Sequence, residues 1–221
     1  MSIHDTAKIH PSAIIHSGAV VGPNCEIGPF SVIGNEVVLK NNVIIKSHVV
    51  ISGMTTIDEE TSIFPFASIG EIPQDLKYKG EKTNLIIGDN NIIREHVTIN
   101  TGTIQGGGLT RVGSNNLIMI GAHIAHDCIV HNNIVMANNS AAAGHAQIED
   151  FVIIGAKCGI QQFTRIGKMA MIGGMTGVSR DVIPYGLSTG NRNFLNGINV
   201  IGLRRDQVQN KEIIALTEAY K

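Results

Sequence analysis

The stretch Ile9-His-Pro-Ser-Ala-Ile-Ile15-His-Ser-Gly-Ala-Val-Val21-Gly-Pro-Asn-Cys-Glu-Ile27-Gly-Pro-Phe-Ser-Val-Ile33 decides the fold. An aliphatic residue stands at every sixth position: Ile9, Ile15, Val21, Ile27, Ile33. Followed outward, the series reaches back to Ile3 and on through Leu39, Ile45, Ile51, Ile57 and Ile63 to Ile69. It resumes at Ile87, Ile93 and Ile99, then runs from Val112 through Ile118, Ile124, Val130, Met136 and Ala142 to Val178. Gly often follows this marker, and four positions after it comes a small or β-branched residue such as Ala19, Cys25, Ser31 or Val37.

A fixed short period marks a solenoid, in which each coil buries its inner face only by stacking on its neighbours. Short strands of β-branched residues pointing inward suit such stacking. Three hexapeptides per coil make a triangular prism. The markers predict nine or ten coils and a prism on the order of 45 Å long, at ~4.8 Å per coil. Gly and Asn are expected at the corners, where the backbone turns. The fold class is therefore all-β, a parallel β-helix over residues 1–186, with a short C-terminal helical segment over 187–221.

Two stretches break the period. Residues 70–86 lie between Ile69 and Ile87, a gap that keeps a full coil's phase while losing its markers. Residues 100–111 lie between Ile99 and Val112, one residue more than two repeats, so part of this stretch must loop out. Loops on a rigid scaffold are where binding residues concentrate. The first is dense in polar side chains, with Gln74, Asp75, Lys77 and Tyr78. Beyond Val178 the repeat fades. Leu195–Arg205 reads as a short helix, and Asn210 as the cap of a second over Lys211–Lys221, with Ile213, Leu216 and Tyr220 on one face. So little packs against that face that the sequence suggests a truncated tail or an appendage completed by another subunit.

Among 221 residues the net charge is −1, which gives no reason to expect nucleic acid as a partner. No run of apolar residues is long enough for a membrane span, and no secretory signal is visible. Cys25, Cys128 and Cys158 form no CxxC pair, which suits a reducing, cytoplasmic setting. Each lies four after a marker, so each reads as a small core residue rather than a nucleophile or ligand.

The segment His123-Ile-Ala-His126-Asp127-Cys128 carries the chemistry. With 18 residues per coil, position 127 stacks on 145, so His126, Asp127 and His145 should meet at one edge. A neutral imidazole beside a carboxylate has a defined tautomer and raised basicity, as a general base requires. Clustered histidines could instead hold Zn or Co, making the chain a trimeric metal-dependent hydratase of the gamma carbonic anhydrase type. A non-catalytic solenoid is a third reading. His4, His10, His16, His131, His48 and His96 read as turn residues.

Ile124-Ala-His126-Asp127-Cys128, Gly70-Glu-Ile-Pro-Gln-Asp-Leu-Lys-Tyr78 and Gln105-Gly-Gly-Gly-Leu-Thr110 together resemble the UDP-N-acetylglucosamine O-acyltransferase family of lipid A biosynthesis. The likeness runs from about residue 3 to the end of the chain. It implies a homotrimer of left-handed β-helices with active sites between subunits. The implied reaction moves an (R)-3-hydroxyacyl chain from acyl carrier protein to the glucosamine 3-hydroxyl of UDP-GlcNAc. By the same resemblance His126 is the base, Asp127 orients it, and the Gly144 amide is the oxyanion donor. Attack is direct, with no acyl-enzyme, cofactor or metal. Gln74, Asp75 and Lys77 are implied contacts of the acyl chain. His123, His145, Gln161 and Gln162 are implied substrate contacts, Asn199 and Arg205 contact the nucleotide, and Gly174 lies at the floor of the acyl groove. A basic face drawn from Lys157, Arg165, Lys168, Arg180, Arg204 and Arg205 would dock the acidic carrier protein.

Three features depart from the family pattern. Gln161 stands where the family commonly has His, Asn100-Thr-Gly stands where it often has His-Arg-Gly, and the helical tail is shorter. The related N-acyltransferase of the same pathway is the runner-up, although its extra N-terminal domain has no counterpart before Ile3. The acceptor could also be the 3-amino analogue of UDP-GlcNAc.

Overall fold

The computed structural model describes residues 2–220 and is a left-handed parallel β-helix. Among the described residues, three sheets of nine, eleven and nine short strands, parallel except for the last strand of the second, form the faces of a triangular prism. The first face begins at Ser2–Ile3, the second at Lys8–Ile9 and the third at Ile14–Ile15. Plain coils pair residues 18 apart, as in Ser2↔Val20 and Ile14↔Val32. Each strand is typically two residues long, because the second residue is the inward marker and the chain then turns.

The markers line the lumen. Ile33, Ile51, Ile69, Ile99 and Ile124 form one column on the third face, all fully buried. Each such side chain contributes about 1.5–3 kcal/mol by leaving water. The small residues four places on fill the corners of the lumen, and Cys25, Cys128 and Cys158 are buried there as expected.

Three expectations are corrected. The gap from Ile69 to Ile87 does not preserve the coil phase. Ile87 stacks on Ile57 and Ile99 on Ile69, each 30 positions away rather than 18. Twelve extra residues therefore leave the prism at the corner between the third face and the first. The second gap departs at the same corner one coil later, since Ile87 pairs Val112 at 25 positions. Both loops thus emerge from one edge, stacked on each other.

The expected Asn does stand at the corners, at Asn24, Asn42, Asn90, Asn115, Asn133 and Asn139, but bulkier residues rather than Gly take most of the others. Left-handed backbone is taken by Phe30, His48, Phe66, His96, Asp127, His145 and Phe163, among others. That conformation costs roughly 1–2 kcal/mol per residue. Stacking along the edge offsets it: Phe30, His48, Phe66 and His96 form a ladder with ring centroids 5.0–5.1 Å apart. The glycines after the markers serve another purpose. A Cβ on Gly22 would lie 2.6 Å from the Lys40 carbonyl oxygen of the next coil.

The C-terminal segment also differs. Leu195 lies in a strand, Phe194–Ile198, antiparallel to Gly186–Thr189, which itself still stacks on the second face. The helix begins later, at Val200–Arg205 (α1), where Asn199 accepts from the Gly202 amide at 3.0 Å and so ends the strand and caps the helix. The second helix is Asn210–Ala219 (α2), with Gln209 rather than Asn210 at the N-cap position and no side-chain capping hydrogen bond. Its expected terminus, Lys221, lies outside the described residues. Ile213 packs with Ile198 and Leu203, and Leu216 and Tyr185 pack against that small cluster.

Candidate active site

The third face carries His123 on the strand His123–Ile124, with Ala141 stacked directly on it. His123 is the outward residue of its pair, and Ile124 the inward one. Two residues later the chain turns the corner. His126 occupies the turn, and Asp127 takes φ +60. This kink brings the two side chains back on each other: His126 Nδ1 lies 2.7 Å from Asp127 Oδ2. His145, on the next coil at the same corner, puts Nε2 3.7 Å from that oxygen and its ring edge-on to His126. The expected stack of 127 on 145 is present. Phe163 continues it, parallel to His145 at 4.3 Å.

Both His126 and Asp127 are only 5 % exposed. A buried carboxylate needs its lone pairs satisfied. Asp127 Oδ1 accepts from the Thr103 amide at 2.7 Å, and Oδ2 accepts from the Thr103 hydroxyl at 2.7 Å. Thr103 belongs to the second loop and went unrecognised in the sequence. Its partner is 24 residues away, across an excursion whose path no period describes. The Asp127 amide donates to Thr110 Oγ1 at 2.8 Å, a second contact from the same loop.

Gly144 packs against the imidazole. A Cβ there would lie 2.5 Å from His126 Cε1 and 2.7 Å from Nε2. The position two after a marker is Pro at 11, 23, 29 and 65, so the fold does not require its N–H. At buried Gly144 that amide has no hydrogen-bond partner among the described residues. It is left available to a ligand.

A cleft of about 330 Å³ opens over this corner, lined by Gln74, His123, His126, Gly144 and Gln162. Burial, and to a lesser extent the nearby His126, push the His123 pKa down, partly opposed by the Thr98 backbone; the Thr98 hydroxyl lies 2.7 Å from its Nδ1. Gln161 lines an adjoining cleft of about 520 Å³ on the same face, with Ser179, Asn191 and Arg192. Gln74 reaches the site because the loop roots are tied together. Asn100 Nδ2 donates to the Ile72 carbonyl at 3.0 Å, and the Thr101 amide to Glu71 at 3.1 Å.

Other predicted residues are not gathered here. Asp75 accepts from the Lys77 amide within the first loop, and neither lines the cleft. Gly174 sits at the turn between the second and third faces, where a Cβ would make ordinary contact with the Ala156 carbonyl at 3.4 Å. Asn199 and Arg205 line a separate, largely apolar cleft of about 810 Å³ on the second face, with Phe151, Met169, Met171 and Leu187. Of the basic residues expected to dock a partner, Arg165 is engaged with Glu149.

Among the described residues, His126, Asp127 and His145 form a group with the number and type of atoms to hold a metal, all within 4.8 Å. Asp127, however, already accepts three hydrogen bonds, two of them from Thr103. A metal would have to displace some of these.

Residues 181–221 match the family model described as UDP N-acetylglucosamine O-acyltransferase, domain 2, and residues 1–35 and 19–53 match that of bacterial transferase hexapeptide repeats. A curated relative, the acyl-[acyl-carrier-protein]–UDP-N-acetylglucosamine O-acyltransferase of Paracoccus denitrificans, is 54% identical over 156 residues. The matched stretch is 71% of this chain and spans 60% of that relative's length. The solved UDP-N-acetylglucosamine acyltransferase of Campylobacter jejuni superposes with a TM-score of 0.92 at 41% identity, covering 97% of this chain and 83% of that one. Its counterpart from Bacteroides fragilis gives 0.88 at 43%, covering 99% and 83%.

Proposed function

This chain belongs to the UDP-N-acetylglucosamine O-acyltransferase family, and from that membership we propose that it transfers an (R)-3-hydroxyacyl chain from acyl carrier protein to the 3-hydroxyl of UDP-GlcNAc. That reaction is an early acylation in lipid A assembly, and its carrier-protein donor makes the cytoplasm its setting. The observation that carries the mechanism is the contact of His126 Nδ1 with Asp127, which leaves Nε2 beside Gly144 in the cleft.

His126 Nε2 takes the proton of the sugar hydroxyl as its oxygen attacks the thioester carbonyl. The carbonyl oxygen gains the negative charge, and the unpaired Gly144 amide donates to it. Such a donor contributes about 3 kcal/mol to the transition state. Collapse breaks the C–S bond. The departing carrier thiolate takes the proton from His126, restoring the base. Asp127 stabilises the transient imidazolium. No acyl-enzyme forms, in keeping with three cysteines buried in the lumen.

Gln74 and Gln162 are assigned to substrate within the cleft, and His123 and His145 to the sugar nucleotide. Asn199 and Arg205 are assigned to the nucleotide, where Arg suits a phosphate. They lie on the second face, away from the His126 cleft on the third. A homotrimer with sites between subunits accounts for this separation, because a neighbour's second face would complete the site. Asp75, Lys77 and Gly174 are assigned along the acyl path, and Gln161 to a phosphate or sugar contact.

The test mixes the protein with UDP-GlcNAc and 3-hydroxyacyl carrier proteins of several chain lengths. The proposal expects a sugar nucleotide heavier by one acyl group, esterified at the 3-oxygen, and a trimer in solution. No product with any donor, despite UDP-GlcNAc binding, would overturn it.

A further inference from the structure

The mechanism uses His126 and Asp127 but leaves the second loop without a role. That loop is a seven-residue excess over a plain coil, and it closes on the Asp127 carboxylate. Residues Ile104–Gly106 form one 3₁₀ turn, capped at its start by Thr103. A Cβ on Gly106 would fall on the Asp127 carboxylate itself, so only glycine lets the turn approach this closely.

Proton order along the resulting chain is fixed from its far end. A backbone N–H can only donate, so Thr103 Oγ1 accepts from Gly106 at 3.1 Å. The hydroxyl's own proton then goes to Asp127 Oδ2 at 2.7 Å. The Thr103 amide donates to Oδ1 at 2.7 Å. Both carboxylate oxygens are thus held by donors from one residue, which fixes the plane and rotation of the group. Oδ2 is left facing His126 Nδ1 at 2.7 Å. As an acceptor it requires the proton on Nδ1, which puts the lone pair on Nε2, beside Gly144.

We propose that Thr103 is a positioning residue for the base: it locks the Asp127 carboxylate, through hydroxyl and amide together, so that His126 is held as the Nδ1–H tautomer with Nε2 free. The inference deepens the proposed acyl transfer and rests on that reading for its kinetic consequence. The structural half stands independently. A loop inserted at the corner next to His126 supplies two of the three hydrogen bonds to the group that orients it.

The test compares Thr103→Ser, Thr103→Val and Gly106→Ala in the full-length protein. Thr103→Val keeps the shape and the amide but removes the hydroxyl. Its kcat is expected to fall about tenfold, with KM for UDP-GlcNAc within about twofold of the parent. Thr103→Ser is expected to retain most of the activity. In an Asp127→Ala background Thr103→Val should cost nothing further, because the path from Thr103 to the base is already cut. Nitrogen-15 spectra of labelled histidine, assigned with His126→Gln, read the tautomer without substrate. They should show Nδ1–H at His126 in the parent and in Thr103→Ser, and a mixture in Thr103→Val and Gly106→Ala. An active parent with unchanged kcat and tautomer in Thr103→Val would overturn the inference alone. So would the same loss in the Asp127→Ala background. An inactive parent whose His126 tautomer still depends on Thr103 would sink the proposed reaction and leave the positioning role supported.

Discussion

Replacing Gly144 by Ala tests the geometry of the base in one methyl group. The new Cβ would lie 2.5 Å from His126 Cε1 and 2.7 Å from Nε2. Ordinary carbon contacts are 3.5–4.0 Å, so the imidazole must retreat by about 1 Å. It cannot carry Asp127 with it, because Thr103 holds both carboxylate oxygens. The ring therefore tilts away from its partner and its Nε2 leaves the line of the acceptor hydroxyl. A displacement of this size costs about 10²-fold in the chemical step, which is roughly 2.7 kcal/mol of transition-state stabilisation. The substitution is clean in other respects. Gly144 has no left-handed φ, so Ala adds no backbone strain. The main-chain amide, the proposed oxyanion donor, is retained. Steady-state release of carrier thiol at saturating UDP-GlcNAc is the assay, with thermal unfolding as the control for folding. A Gly144→Ala protein within about threefold of parental kcat/KM, a difference under 1 kcal/mol, would refute the reasoning.

Three further outcomes are expected. His123 is held below its ordinary value of 6.5, chiefly by burial, so the unfolded chain binds this proton more readily than the folded one. Its contribution is absent above 6.5, and stability falls as pH drops from there through the folded value; denaturant unfolding of His123→Gln should show a shallower loss than the parent across that window. The thiols of Cys25, Cys128 and Cys158 should resist Ellman's reagent at about pH 8 in the native protein and react on denaturation, Cys128 because burial pushes it up to about 12. Ile93→Ala, at a fully buried lumen position, should cost about 2–5 kcal/mol in chemical denaturation.

The prism was legible because its signal is repeated. Twelve markers from Ile3 to Ile69 share one period, and a local exception cannot hide it. The meeting of His126, Asp127 and His145 was legible for the same reason, since stacking follows from the coil length. The loops were not. The period counts residues along the chain, and an excursion of twelve residues looks the same as two skipped faces. Only pairing shows that Ile87 stacks on Ile57. Thr103 was hidden behind this ambiguity, because its hydrogen bonds reach across the second loop to a residue on another coil. Gly106 carried a weak signal as the first of three consecutive glycines, but nothing in the run names Asp127 as what it packs against. The ladder of Phe30, His48 and Phe66 could have been found, since the three are 18 apart. Reading His48 and His96 one at a time as turn residues missed it. Leu195–Arg205 reads as one short helix in sequence. Asn199 capped against Gly202 divides it.

The central claim is that His126 acts as a base on the acceptor hydroxyl, with no acyl group ever carried by the protein. The most direct measurement is a rapid-quench comparison of the parent with His126→Ala, using acyl carrier protein thioester and UDP-GlcNAc, with the intact mass of the protein read at each time. The account predicts acylated sugar nucleotide from the parent, a loss of about 10²–10⁴-fold in the variant with UDP-GlcNAc still bound, and no acyl adduct on either protein. Turnover by His126→Ala within about tenfold of the parent, or an acylated protein that forms and decays at the rate of product formation, would contradict it.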